Sequence, residues 1–255
     1  MNEMLRRVFK RLHFSVEISL TYLHWYVACP LGLRQLQEMM AERGVEVDHS
    51  TIHRWAIKML PIVTAVCRRR KRPVGKSWRM DETYIRAAGQ WKCLYRAVDK
   101  TGVTVDFLLR PKRDHAAARA FFERATGLHD VPGKIAIDKS ASNKAAIISI
   151  QDDSGFSIAM RQSEYLNNIV EQDHRAIKRI TRPMLGFKIF RCARIIVAGI
   201  ETMQMIHKNQ LDHVKDRTSS AANQFYSLAF RSQNLSATRS ASARHRVRTH
   251  LSTII

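Results

Sequence analysis

The sequence predicts an α/β protein built in two parts. A helical N-terminal segment comes first, and a mixed-sheet domain with helices on both faces follows. Two observations predict this. Apolar residues recur at helical spacing up to about Leu60, and from Trp78 the period changes to two. Beyond Trp78 the runs then follow the order strand, strand, strand, helix, strand, helix, strand, helix.

The helical segment opens at residues 15–28. Ser15 is a candidate cap, and Val16, Leu20, Leu23 and Val27 make an apolar stripe. Pro30 and Gly32 punctuate. A second helix spans 33–43, with Leu33, Leu36, Met39 and Met40 inward and Gly44 as its stop. After a short turn, Asp48 or Ser50 caps a third helix running to about Leu60, with Ile52, Trp55, Ala56, Met59 and Leu60 buried. Two short helices, a tight turn and a helix with polar and basic residues at its start form a helix-turn-helix pattern. The third helix would enter a DNA groove with His49, Thr51, His53, Arg54 and Lys58 on its outer face. A plain three-helix bundle with a solvated face is the competing expectation.

Residues 67–76 are a charge run with Pro73 and Gly75, expected as a basic linker between the unit at 1–66 and the domain at 77–210. Trp78–Arg86, Trp91–Asp99 and Thr104–Arg110 read as a three-stranded meander turned at Gly89 and at D-K-T-G, 99–102. Asp114–Thr126 is helical, Lys134–Asp138 a short strand, and Ser140–Ile150 a helix. A fifth strand is expected over Gly155–Met160, a helix from Asn167 or Asn168, and a long helix over Phe190–Asn209. That order is the order of the ribonuclease-H-like fold. The basic extension at 211–255 ends in a Ser/Arg/Ala-rich tail from 231 that is expected to be disordered or ordered by DNA.

Charge narrows the function classes. The chain of 255 residues carries Lys+Arg 43 against Asp+Glu 22, a net charge of +21. The excess is +8 over residues 1–76, +7 over 77–207 and +6 over 208–255. A basic surface on every segment fits a polyanion, nucleic acid above all. Cys29, Cys67, Cys93 and Cys192 form no C-x-x-C, which suggests reduced thiols and not a zinc site. His49 and His53 stand at i, i+4 with no third ligand nearby. No apolar run follows Arg6, Arg7, Lys10 and Arg11, and the stretch Ile195–Ile206 is too short to span a bilayer. A cytoplasmic protein without a membrane partner is expected.

Three carboxylates stand where this fold brings acids together: Asp81 in the first strand, Asp138 at the end of the fourth, and Glu171 in the helix beside them. Each has an ordinary alternative. Asp81 could face solvent, Asp138 could cap the next helix, and Glu171 could complete a capping box with Asn168. Taken together, three acids at one point repel unless cations lie between them. Oxygen ligands favour Mg²⁺ or Mn²⁺, two ions in such a site. Lys178 lies seven residues after Glu171, two turns along the same helix face, with Arg179 next to it.

Several long motifs give a resemblance. L-Q-E-M-M-A-E-R-G-V-E-V-D-H-S-T-I-H-R-W at 36–55, W-x-M-D-E-T-Y-I at 78–85 and G-x-W-x-x-L-Y-R-A-V-D at 89–99 resemble the bacterial insertion-sequence transposases of the IS-six family. So do N-N-x-V-E-x-D-H-x-x-x-K-R at 167–179 and L-G-F-K at 185–188. The similarity covers roughly residues 15 to 210. It implies a DDE integrase core in which Asp81, Asp138 and Glu171 are the catalytic and metal-binding acids and Lys178 touches substrate DNA. It further implies a homodimer or higher homo-oligomer that binds the terminal inverted repeats, nicks them and joins the 3′-hydroxyl ends to target DNA. The segment I-D-K-S-A-S-N at 137–143 departs from the family's tyrosine-containing motif. A non-catalytic, repressor-like DNA-binding protein with the same fold is the alternative.

Overall fold

The computed structural model describes residues 14–138, 140–162, 168–212 and 220–230. The tail expectation at 231–255 therefore lies outside the described residues.

Three helices open the chain: α1 (Val16–Ala28), α2 (Leu33–Ala41) and α3 (His49–Arg69). Ser15 caps α1 by accepting the Ile18 N–H, and Asp48 caps α3 by accepting the Ser50 N–H. The sequence predicts that α3 ends near Leu60, but the helix runs nine residues further, straight through Pro61. Proline removes one ladder bond. Pro61 sits on the exposed side, while Val63, Val66 and Cys67 continue the buried stripe. Burial of that stripe outweighs the lost bond.

The sheet holds five strands in the order β3-β2-β1-β4-β5: β1 (Ser77–Ala87), β2 (Gln90–Asp99), β3 (Thr104–Arg110), β4 (Lys134–Ile137) and β5 (Ala159–Gln162). The first three are antiparallel neighbours, and β4 and β5 run parallel to β1. This is the predicted ribonuclease-H-like arrangement. β5 starts four residues later than predicted, because Gly155 adopts a left-handed conformation (φ 70°) and closes the preceding helix.

Helices α4 (His115–Leu128) and α5 (Ala141–Ser154) cover one face of the sheet, over a core of Trp78, Met80, Tyr95, Phe121 and Ile147. Helices α6 (Asn168–Thr181), α7 (Phe190–His207) and α8 (Ala221–Phe230) belong to the other side, with a short 3₁₀ turn at Arg182–Met184 after α6. On that side Ile85, Leu94 and Leu109 share one core with Leu23, Trp55 and Leu60 of the helix-turn-helix segment and with Ile200 of α7. The change of sequence pattern at 66–77 is thus not a gap in packing.

The basic run expected as a linker is docked over its first half, while Arg72, Pro73, Gly75 and Lys76 are exposed. Cys67 is buried, and Arg68 lies over the Phe107 ring at 5.1 Å and 3.5 Å from Asp106. Lys71 donates to the Val105 carbonyl and meets His129 at 3.1 Å, and burial pushes its pKa down to about 8. Asp106 on β3 is what draws Arg68 in, an acid that a charge count along the sequence does not reveal. All four cysteines are free thiols. Among the described residues no helix is long and apolar enough to cross a membrane.

Helix α7 passes α1 and α3 so closely that a Cβ on Gly199 would lie 2.7 Å from Leu60 Cδ2 and 2.9 Å from Val27 Cγ1. Both neighbours are buried and cannot withdraw into solvent. Gly199→Ala should therefore destabilise the protein by about 1–2 kcal/mol in denaturant unfolding, although alanine has the higher helix propensity. A gain in stability would mean that the three helices part freely.

Candidate active site

The site forms where β1 loses its neighbour. β4 pairs with β1 only over Ser77–Arg79, and the next contact on that edge is the bridge between Ala87 and Phe187. Asp81 and Glu82 lie in the interval. Successive strand residues point to opposite faces, so Asp81 meets His174 of α6 at 3.6 Å while Glu82 accepts from Asn143 of α5 at 2.7 Å. Asp138 follows β4 directly and enters the same cleft. One Asp138 oxygen accepts the Ser140 N–H at 3.0 Å, but Ser140 is itself the cap residue of α5, so Asp138 braces the turn before the helix and does not cap it.

Carboxylate oxygens of Asp81, Glu82 and Asp138 all lie within 4.8 Å of one another. Burial raises the Asp81 pKa to about 6, helped by the charges of Asp138 and Glu171. Burial likewise raises Glu82 to about 7. Arg113, between β3 and α4, is the one cation bonded to this cluster among the described residues. It donates to Glu82 at 3.2 Å and to Asp138 at 2.9 Å.

The family model for the DDE domain of IS240-type transposases matches residues 75–210. The transposase of the insertion-sequence-like element IS431mec from Staphylococcus aureus is 34% identical over 204 residues, covering 78% of this chain and 88% of the relative. The transposase of IS257 in transposon Tn4003, also from Staphylococcus aureus, matches to the same extent. This chain belongs to the IS-six family of DDE transposases. Among solved structures, the magnesium-bound catalytic core of HTLV-2 integrase is a distant likeness. It is 17% identical with a TM-score of 0.41, covering 52% of this chain and 88% of that one, and adds nothing to the assignment.

As a DDE transposase the protein is a metal-dependent enzyme that cleaves and joins DNA strands. Of the three predicted acids, the structure brings Asp81 and Asp138 together and adds Glu82, which the sequence analysis passed over. Its signal was available in the D-E dipeptide of the second motif, but strand alternation sends neighbours to opposite faces. Only the edge position lets both carboxylates reach one cleft. Glu171 lies outside the group of three. Its side chain is about half exposed and pairs with Arg175 at 3.7 Å. The helix begins at Asn168, so its cap position, 167, falls outside the described residues and the capping box is not seen. Asp173, the other acid of that turn, is committed elsewhere: it bonds Lys208 and lies 3.1 Å from Arg96.

The donor set fits a hard divalent cation. It consists of carboxylate oxygens, and burial disfavours the charged forms of Asp81 and Glu82, which a cation would compensate. His174 is not a cation here. Burial, with Arg96 and Lys178 nearby, lowers its pKa to about 3, so a neutral ring faces Asp81.

The predicted DNA contacts divide by exposure. Arg54 and Lys58 are exposed on α3, while Thr51 and His53 are half-buried. Thr51 accepts from Arg54 at 2.7 Å, which holds the guanidinium against the helix. His49 stands 3.0 Å from Asp48. Lys178 and Arg179 are exposed near the end of α6.

Raised acid pKa values fix the sign of a pH effect. A carboxyl whose folded pKa lies above its unfolded value stabilises the fold at low pH, and that contribution is lost as pH rises through the folded pKa. For Asp81 the window runs from about 4 to about 6. In EDTA at pH 8, Asp81→Asn should therefore raise the melting temperature, by the equivalent of roughly 1–3 kcal/mol. At pH 4 the two proteins should melt nearly together. A lower melting point for Asp81→Asn at pH 8 would show that the ionised carboxylate is already compensated.

Proposed function

We propose that this transposase binds the terminal inverted repeats of an insertion sequence, nicks them to free 3′-hydroxyl ends, and transfers those ends to target DNA. The observation that carries this reading is the convergence of Asp81 and Asp138 at the open edge of β1, in a basic protein, with burial holding the Asp81 carboxyl above its usual range. Asp81, Asp138 and Glu171 are the acids that would hold two Mg²⁺ or Mn²⁺ ions. Such a group would supply Lewis acidity, activating an attacking water or hydroxyl and stabilising the leaving oxygen.

The chain's own residues do the rest. Arg113 bridges Glu82 and Asp138 and so steadies the carboxylates beside which a cation would bind. Asn143 orients Glu82 and Asp138 through its amide. Lys178 and Arg179 meet DNA phosphates beside the acids. His49, Thr51, His53, Arg54 and Lys58 face the terminal repeat, with α3 in the major groove. The protein acts as a homodimer or higher oligomer on double-stranded DNA in the bacterial cytoplasm.

Strand transfer of a labelled terminal-repeat duplex in Mg²⁺, against EDTA, tests the function. Asp81→Asn, Asp138→Asn and Glu171→Gln should each lower nicking by a factor of about 10² or more while repeat binding persists. Glu82→Gln discriminates the third ligand. If Glu82→Gln abolishes nicking and Glu171→Gln does not, the cluster seen in the structure is the complete site. Binding without Mg²⁺-dependent nicking by the parental protein would leave the repressor-like alternative.

Recognition is tested separately. Arg54→Ala should weaken repeat binding by about 1–3 kcal/mol if it reads a base. Equal loss on repeat and random DNA, measured by titration at fixed salt, would make Arg54 a phosphate contact.

A further inference from the structure

The L-G-F-K motif and Trp91 belong to the shared sequence pattern, yet neither takes part in the acid site. Both border one groove. It has a volume of about 680 Å³ and is lined by Tyr84, Arg86 and Trp91 from the β1–β2 hairpin, Lys178 from α6, and Arg182 and Leu185 from the turn after it. The apolar members are unusually open to solvent: Trp91 is 67% exposed, Tyr84 43% and Leu185 91%. Three cations line the groove, and no carboxylate lines it among the described residues.

Leu185 is displayed deliberately by the backbone. It holds a left-handed conformation (φ 54°), costly for a leucine, with its N–H donated to the Arg182 carbonyl at 3.1 Å. Gly186 follows at φ 92°, where a Cβ would stand 3.3 Å from the Arg86 carbonyl. Phe187 then bonds across to β1, its N–H to Arg86 at 3.1 Å and its carbonyl from Ala88 at 2.7 Å. The turn is fastened to the strand that carries the acids, and its apolar side chain is left in water.

The groove continues the active-site cleft. Helix α6 runs alongside β1, so that His174 meets Asp81 and, one turn on, Lys178 meets the groove at Tyr84–Arg86. Arg113, bonded to Glu82 and Asp138, also feels the Tyr84 side chain of the groove electrostatically.

We infer that this groove binds an unpaired stretch of DNA strand next to the scissile phosphate. Bases stack on Trp91 and Tyr84 against Leu185, and Arg86, Lys178 and Arg182 meet the phosphates. Paired DNA presents phosphates and base edges but hides base faces in its own stack. Exposed aromatic faces interleaved with cations therefore match an unpaired strand, whatever its sequence. The inference rests on the DNA-processing function proposed above, and its test does not require catalysis.

The experiment uses the full chain in EDTA with two probes. One is a blunt random duplex. The other is the same duplex with a single-stranded extension of about four nucleotides carrying 2-aminopurine. The parental protein should prefer the extended probe by about tenfold and quench the 2-aminopurine. Trp91→Ala should bring the ratio of the two affinities to about one and abolish the quench, and Trp91→Phe should restore both. An unchanged ratio and quench in Trp91→Ala overturns the proposal. So does a Trp91→Ala protein whose only change is a smaller mass in sedimentation, which would make the groove a contact between copies. Mg²⁺-dependent nicking is scored alongside. Preference without nicking keeps the groove and rejects the catalytic function, whereas nicking by a parental protein without preference rejects the groove alone.

Discussion

Arg96 has no exposed surface, and its guanidinium lies 2.7 Å from Glu201 of α7 and 3.1 Å from Asp173 of α6. A further contact reaches Thr104 on β3 at 3.2 Å. Burial raises Glu201 to about 7 against the pull of Arg96, so the pair stands close to the limit of what ionisation can hold there. Lys208 closes the group by bonding Asp173 and the Gly102 carbonyl. Removing one member of such a network strands a charge in the interior, at a cost of about 3–5 kcal/mol. Helix α6 therefore has one favourable placement on the sheet. A slip by one turn would separate Asp173 from both cations.

The position of that helix decides the rest of the site. Asp173 and His174 are on its buried stripe with Val170, Ile177 and Ile180. Fixing Asp173 against Arg96 puts His174 beside Asp81, since the two residues are adjacent. It also turns Glu171 and Lys178 outward along the cleft. Asp81 itself pairs with Arg96 in the β1–β2 register, so the anchor and the acid are opposite one another on neighbouring strands. A structural ion network and a chemical one thus share a boundary one residue wide.

Electrostatic balance differs between the two. The Arg96 group is compensated internally, with Arg96 and Lys208 set against Asp173 and Glu201. The acid cluster has more carboxylate than cation, with Arg113 alone bridging Glu82 and Asp138. That imbalance suits a site that must accept an external cation and then an anionic strand. The surrounding excess of lysine and arginine raises the local concentration of DNA without neutralising the acids, because most of those charges are exposed and screened within about 10 Å.

Much of this was written locally. Ser15 and Asp48 cap the helices they precede, Gly155 stops one, and the change of period at Trp78 marks the sheet, because caps, stops and periodicity depend on residues a few positions apart. Asp81 and Asp138 were legible for the same reason: one sits within a strand and the other directly after one, each in a run that the pattern identifies. Long-range packing decided the remainder. Helix α3 outlasts Pro61 because α7 covers its far half. The first half of the charge run at 67–76 docks because Asp106, distant in sequence, receives Arg68 and because Val105 and His129 receive Lys71. Glu82 joins the acids because β4 stops short along β1, and Asp173 is held apart from them because a buried arginine claims it. The amphipathic pattern of α6 could not reveal that choice, since burial of an acid is favourable only where its partner cation already waits.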